Sequence, residues 1–163
     1  MSLNSLQDLF VEQLQDLYSA EQQFAQAQTK VADAVSDDAL KQGVIMHVDQ
    51  TKEQIARLER VAETLGLGSL NGKTCQAAKG LVAEAQELLE EDGDPSVKDA
   101  GIIAALQRVE HYEMAGYGTV VAYAKRLGHE EVVPLLEQTL EEEKATDAKL
   151  SQLAETSINA QAV

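Results

Sequence analysis

Four stretches of the sequence with helical periodicity each carry polar side chains where apolar ones are expected. Glu21, for example, lies four residues after Leu17 and three before Phe24, on the face that should turn inward. Carboxylates and an imidazole on inward faces are donors suited to iron or manganese. The candidate metal ligands selected in this way are Glu21, His47, Gln50, Glu110, Glu113, Glu143 and Asp147.

These polar residues lie at matching depths along two predicted helical hairpins. Glu21 and Gln50 are fifteen and fourteen residues from a turn near position 36. Glu113 and Glu143 are each fifteen residues from a turn near position 128. At 1.5 Å per residue, all four lie about 21–23 Å from their turns. Each hairpin therefore places its polar side chains in one layer near its middle, while the level of one hairpin relative to the other stays open.

Several carboxylates in one dry layer need a source of positive charge, because an uncompensated buried ion costs about several kcal/mol. Protons, basic side chains or metal cations could supply it. The nearby basic residues are expected on other faces; they are Lys30, Lys52, Arg57 and Arg108. Metal cations are therefore favoured. Any single Glu or His on an inward helix face could instead be solvated at the edge of that face or hydrogen-bonded in the core.

Turn signals in the first half of the chain separate two long helices from a longer connection. The first helix is predicted over residues 3–34, and the second follows capping residues at 36–38 and ends at Gly66 and Gly68. The connection over residues 67–98 contains an apolar pattern that predicts a short accessory helix.

The second half of the chain predicts two more long helices. Ser96 or Asp99 begins the third, Gly128 ends it, and Pro134 falls in the first turn of the fourth. Two hairpins joined by a long crossover define an all-α fold, the ferritin-like antiparallel four-helix bundle, as a single domain over residues 1–163. An up-down-up-down bundle with short loops is the alternative topology.

Four sequence segments resemble the YciE/YciF-like family of bacterial ferritin-like proteins, within the di-iron carboxylate superfamily. They are Leu-Tyr-Ser-Ala-Glu at 17–21, Gly-Lys-Thr-Cys at 72–75, Val-Glu-His-Tyr-Glu-Met-Ala-Gly-Tyr-Gly at 109–118 and Glu-Glu-Lys-Ala-Thr-Asp at 142–147. The similarity covers roughly residues 5–154. It implies a ferritin-like bundle, a homodimer and an association with bacterial stress responses.

The sequence departs from the ligand pattern of that superfamily, which uses two Glu-x-x-His pairs. Val44 stands three residues before His47, and no Glu-x-x-His occurs anywhere in the chain. A dinuclear iron or manganese site is still the first interpretation. A mononuclear site is the alternative.

Composition limits the other partners. The formal net charge of −15 repels phosphate backbones and anionic lipid surfaces, so neither nucleic acid nor a membrane surface is expected as a partner. No apolar run approaches the length of about 18 residues that spans a bilayer. The first twelve residues lack the basic and apolar regions of a signal peptide, which predicts a cytoplasmic protein.

Several further residues near the predicted layer have open roles. His111 lies about 100° around the helix from Glu110. This position favours contact with a partner helix, or with a side chain that binds the metal, over direct metal binding by His111. The Tyr117 hydroxyl could hydrogen-bond a ligand or be an ordinary core group. Cys75 is expected to be a buried or interface thiol. Gly116 and Gly118 indicate a close approach of another helix.

Two functions are compatible with these observations. The first is a stress-associated metal-binding protein that handles oxygen or peroxide at its metal site. The second is a metal-free helical homodimer that acts by interaction and has no catalytic activity. The sequence leaves open whether the protein is an enzyme.

Overall fold

Five helices of fifteen or more residues organise the computed structural model, which describes residues 3–163. In chain order they are α1 (Leu6–Ala34), α2 (Asp38–Thr64), α3 (Gln76–Glu90), α4 (Pro95–Leu127) and α5 (Val133–Leu153). A π-helical turn (Ala154–Ile158) and the short α6 (Asn159–Gln161) follow. Residues 3–163 contain no strand, which confirms the all-α prediction. None of the helices described is long and apolar enough to cross a membrane.

The helix ends follow the capping and glycine signals of the sequence. The side chains of Ser5 and Asp37 accept hydrogen bonds from the backbone N–H groups of Asp8 and Leu40, at the starts of α1 and α2. Gly128 ends α4 in the left-handed conformation, with a φ of 79° that other residues adopt only at a cost.

The start of α4 differs from the prediction, which placed it at Ser96 or Asp99. The helix begins at Pro95, where proline is tolerated because the first N–H groups of a helix lack partners within it. Asp94 is the cap, since its side chain accepts a hydrogen bond from the Ser96 N–H. Asp99 does not cap α4.

Asp99 instead joins the two halves of the molecule. Its buried carboxylate accepts hydrogen bonds from the backbone N–H and hydroxyl of Ser36 and from the backbone N–H of Asp37, at 3.0, 2.5 and 2.8 Å. These groups belong to the tight turn between α1 and α2. A side chain of α4 therefore satisfies donors at the N-terminus of α2, where an anion is also favoured by the helix dipole.

The long helices form two antiparallel hairpins that pack side by side. Short turns pair α1 with α2 and α4 with α5, and α1 then packs against α4 while α2 packs against α5. The crossover between the hairpins contains α3, which lies on α1 and α4 outside the four-helix bundle. This arrangement confirms the predicted bundle with a long crossover and an accessory helix.

Two apolar clusters fill opposite ends of the bundle and leave a polar layer between them. Along α1, Tyr18 belongs to the first cluster and Val31 to the second, and Glu21 lies between them in sequence. Along α4 the order is reversed, with Leu106 in the second cluster and Tyr117 in the first. The polar side chains therefore occupy the middle of the bundle, as their spacing predicts.

The close helix approach predicted at the glycine pair occurs at one of the two residues. A Cβ atom built at Gly116 would lie 2.6 Å from Leu17 Cδ2, so α1 and α4 are close there. A Cβ atom at Gly118 would meet nothing within 4 Å.

Candidate metal centre

Four ionisable side chains from three helices meet in the polar layer. His47 comes from α2, Glu110 and Glu113 from α4, and Glu143 from α5. Each offers one ligand atom, and these atoms all lie within 4.8 Å of one another. All four side chains are buried, with exposures between 0 and 5%. The group has the composition and size of a site that could hold a metal ion.

The ligand atoms in this group lie close together, and several of them lack a partner with hydrogen-bond geometry. His47 Nε2 lies 3.1 Å from Glu110 Oε1 and 3.8 Å from Glu143 Oε2. Neither His47 Nε2 nor either oxygen of Glu110 has a partner with hydrogen-bond geometry. Buried polar atoms without partners are uncommon and costly in folded proteins. Their convergence at one point is the arrangement that a bound cation would satisfy.

Glu21 extends the cluster from α1. Its side chain is fully buried, and its carboxyl group is close enough to that of Glu113 to share a proton. The Tyr117 hydroxyl donates a hydrogen bond of 2.5 Å to Glu21 Oε1, while Glu21 Oε2 has no partner. All four helices of the bundle thus contribute a side chain to the layer.

Gln50 supports His47 and does not join the cluster. Its Oε1 lies 3.3 Å from His47 Nδ1, and the Thr146 hydroxyl lies 3.5 Å from the same nitrogen. A proton on Nδ1 directed at the Gln50 oxygen leaves the lone pair of Nε2 free for a metal.

Asp147 is not a member of the four-residue group. Its Oδ1 accepts a hydrogen bond of 2.9 Å from Gln107 and lies 3.4 Å from Nε2 of the exposed His111. The structure therefore brings five of the seven candidate ligands together and places Gln50 and Asp147 around them. His111 contacts Asp147, in agreement with the expectation that it does not face the cluster.

Gln54 is a fully buried contact of the cluster that was not among the predicted ligands or their neighbours. Its Nε2 donates hydrogen bonds to Glu143 and, at 3.2 Å, to Glu142 Oε2. The signal was present in the sequence. Gln54 follows His47 by seven residues, which places the two within about 20° of each other on the α2 surface.

The expectation for Arg57 was wrong, because this side chain is buried and not on an outer face. Its guanidinium donates to the hydroxyl of Thr139 at 2.6 Å and to both oxygens of Glu142 at 3.0 and 3.1 Å. The charge of Arg57 is therefore matched by Glu142. No contact joins it to the carboxylates of the cluster within residues 3–163, so those carboxylates still require another source of positive charge.

The metal-free cluster holds protons at neutral pH. Burial raises the pKa of Glu21 to about 8, of Glu110 to about 7 and of Glu143 to about 9. Burial and the neighbouring carboxylates also raise the pKa of Glu113 well above its ordinary value. A cation entering this site would displace these protons, so metal binding and protonation should compete.

Cys75 is buried, as predicted, and its surroundings are polar. Its Sγ lies 2.9 Å from the Tyr112 hydroxyl, which in turn donates to Asp16 at 2.5 Å. The sulfur also accepts a hydrogen bond from the Ala78 N–H and so caps α3. Burial raises the pKa of the Cys75 thiol, which therefore stays protonated and serves to dock α3.

The fold and this site define an all-helical bundle with a buried His/Glu group that could hold a metal ion. The chain belongs to the family described as "Domain of unknown function (DUF892)", which it matches over residues 5–163. It is 42% identical to the protein YciF of Escherichia coli K12 over 162 residues, which cover 99% of this chain and 98% of YciF. The resemblance found in the sequence is thereby confirmed.

Solved structures of relatives have the same fold. The crystal structure of the E. coli stress protein YciF aligns with a TM-score of 0.92 at 42% identity, over 96% of this chain and 98% of that one. YcfI from Rhodopseudomonas palustris, for which a structural role is suggested, aligns with a TM-score of 0.89 at 41% identity, over 92% and 95% of the two chains.

Proposed function

We propose that this chain is a stress-associated metal-binding protein that holds iron or manganese in the middle of its helical bundle. The ligands are His47, Glu110, Glu113 and Glu143, with Glu21 beside them. The observation that carries the proposal is the set of buried, unpartnered ligand atoms that converge in this layer. The stress association rests on the description of the relative YciF as a stress protein.

The charge of the site favours two divalent cations over one. Four glutamates with exposures of 0 to 1% contribute four negative charges when ionised, and two divalent cations would balance them; they are Glu21, Glu110, Glu113 and Glu143. A carboxylate-rich donor set with one imidazole suits iron or manganese. Such ions, when bound, supply the electrons for the reduction of oxygen or peroxide.

The surrounding side chains hold the ligands in place. Tyr117 and Gln54 donate to Glu21 and Glu143, and Gln50 faces the outer nitrogen of His47. Partners of this kind fix the orientation of a ligand before the metal arrives, which limits the cost of ordering it. The apolar cluster that contains Tyr18 and Tyr117 closes one end of the layer.

A metal-free structural homodimer is the second candidate function. It is favoured by the raised pKa values of the four glutamates, since protons alone could neutralise a cluster that never binds metal. The structural role suggested for YcfI fits the same reading. The homodimer itself rests on the family resemblance, and sedimentation of the purified protein tests it in either case.

Metal analysis distinguishes the two functions. The protein is stripped with chelator, reloaded anaerobically with Fe²⁺ or Mn²⁺, desalted and assayed for bound metal by mass spectrometry. The expected result is two ions per chain in the unmodified protein and a clear loss in Glu113→Gln. Asp147→Asn is the matched control, since Asp147 accepts a hydrogen bond from Gln107 and lies outside the group of ligand atoms. Equal and negligible metal content in all three proteins would refute the metal centre and leave the metal-free function.

A further inference from the structure

A large cavity opens beside the metal-ligand cluster. It lies between α2 and α5 with α4 at its base, and its volume is about 440 Å³. Small-molecule sites in proteins commonly have volumes of this order. Its walls are largely apolar, with Leu40, Val44, Leu106, Leu150 and Leu153 among the side chains that line it.

The cavity reaches the cluster at one end. His47 and Glu110 line it, and these two side chains are 95% or more buried yet keep unpartnered ligand atoms. Gln50, the hydrogen-bond partner of His47, lines it as well. A molecule in this cavity would therefore lie against the same His47 and Glu110 that the proposed metal uses.

One basic residue stands among the lining residues. Lys149 of α5 is the cationic group of the cavity wall, and Gln42 and Gln152 add neutral polar groups. Lys149 is exposed at the cavity, and its ammonium group would attract one negative charge in a chain whose formal net charge is −15. That charge would be held at Lys149 and away from Glu110, whose carboxylate would repel it.

We propose that this cavity is the substrate site of the centre and binds an apolar organic monocarboxylate. The carboxylate of the bound molecule lies at Lys149, and its apolar body extends along the leucine-lined walls towards His47 and Glu110. The inference names the substrate class of the proposed metal centre and in that respect rests on it. Binding of the molecule depends on the cavity and can be measured in the metal-free protein.

Decanoate is the probe, and its binding is measured by calorimetry and by NMR of the leucine methyl groups. The full chain is used below the micellar concentration of the probe, both without metal and after loading with Mn²⁺. The expected result is one saturable site with methyl shifts at Leu150 and Leu153. Decyltrimethylammonium, which has the opposite charge and a chain of the same length, should bind about fivefold more weakly or worse.

Two variants test the site. Gly43 lines the cavity, and a Cβ atom there would meet nothing within 4 Å, so Gly43→Phe should fill part of the cavity without a backbone clash. We expect it to weaken decanoate binding about tenfold. Lys149→Met should weaken decanoate binding about threefold while leaving the binding of neutral decanol unchanged. Lys144→Met is the control, because Lys144 pairs with Glu141 on the exposed side of the same helix.

Decanoate binding and metal content, measured in the same variants, test the cavity and the metal centre separately. Gly43→Phe should keep the metal content of the unmodified protein while it loses decanoate. Gly43→Ala shows by its melting temperature whether substitution at this position is tolerated in the fold. Decanoate binding that is absent, or that is equal in the unmodified protein, Gly43→Phe and Lys149→Met, overturns the inference. Absence of metal with decanoate binding intact would overturn the metal centre, and with it the role of decanoate as a substrate of that centre, but not the cavity as a binding site.

Discussion

The Tyr117 hydroxyl and the Glu21 carboxylate join the two hairpins inside the bundle through a hydrogen bond of 2.5 Å. Both side chains have an exposure of 0%, and the two residues belong to α4 and α1. Burial followed by the charge of Glu21 raises the pKa of the Tyr117 hydroxyl, so Tyr117 remains the donor at every physiological pH. The bond both orients a proposed ligand and fastens the hairpins to each other.

Replacing Tyr117 by Phe should reduce stability and metal affinity together. Loss of the donor leaves a buried carboxyl oxygen without a partner, which costs about 1–3 kcal/mol in the metal-free protein. Loss of a contact that orients a ligand typically lowers metal affinity about 10–100-fold. Urea unfolding and a competition assay with a metal-binding dye measure the two effects. Tyr123→Phe is the control, because Tyr123 is half-buried in α4 and outside the polar layer; equal behaviour of the two variants would contradict the assigned role.

The metal-free protein should lose stability as the pH rises. The buried glutamates have folded-state pKa values raised from 4.5 to about 7, 8 and 9, so the folded state binds more protons than the unfolded state in this range. Their contribution is fully present below pH 4.5 and is lost progressively as the pH rises to about 9. Urea unfolding in chelator from pH 5 to pH 9 should show a decline on the order of several kcal/mol.

Metal should weaken that pH dependence, because cations bind the deprotonated carboxylates and replace the protons. The same unfolding series with saturating Mn²⁺ should therefore be flatter, with its largest stabilisation at the alkaline end. A free energy of unfolding that is constant from pH 5 to pH 9 in chelator would show that the carboxylates are not held protonated by burial.

Replacing Gln54 by Leu should weaken metal binding without removing a ligand. The change removes the donor to Glu143 and keeps a side chain of similar volume in α2. We expect a drop in metal affinity of about 10–100-fold with the metal stoichiometry unchanged at saturation. The matched control is Gln138→Leu, since Gln138 is exposed and its amide donates a hydrogen bond to Glu142. An unchanged affinity in Gln54→Leu would mean that Glu143 is positioned by its own helix.

Gly116 and Gly118 of α4 should respond in opposite ways to alanine. Gly118→Ala meets open space and should stabilise the protein by about 0.5–1 kcal/mol, because alanine favours the helix. Gly116→Ala places a methyl group 2.6 Å from Leu17 Cδ2 in a packed region, and should destabilise it by about 1 kcal/mol or more. Thermal unfolding of both variants gives the comparison. Stabilisation by both would mean that Leu17 moves aside freely.

The fold was predictable because its signals are local. Apolar periodicity fixed which residues are helical, and glycines and capping residues fixed where most helices end. The helix α4 begins at Pro95, one residue before the predicted Ser96, because Asp94 is its cap. The alternative start at Asp99 was wrong because the Asp99 carboxylate binds the α1–α2 turn instead of its own helix. A tertiary contact of this kind has no local sequence pattern.

The sequence predicted which residues lie in the polar layer, but it did not predict which side chains contact each other there. Depth and helical face placed Glu21 and Gln50 at one level of the first hairpin and Glu113 and Glu143 at one level of the second, while the relative level of the two hairpins stayed open. Depth and face could not show that Gln50 supports His47 from outside, since that depends on rotamers and on the rotation of each helix in its hairpin. Arg57 was misplaced for a related reason. It lies about 80° around α2 from His47, and its long side chain reaches inward to Thr139 all the same.

The contact between Asp99 and the α1–α2 turn fixes the axial position of one hairpin relative to the other. Asp99 precedes Glu110 by eleven residues, so this fastening lies about 16 Å from the polar layer along α4. A slide of one hairpin past the other by a single helical pitch would break three hydrogen bonds there and carry Glu110 and Glu113 past their neighbours on α1 and α2. Asp99, at the end of the bundle, thus keeps the carboxylates that the two hairpins contribute to the polar layer at the same level along the bundle axis.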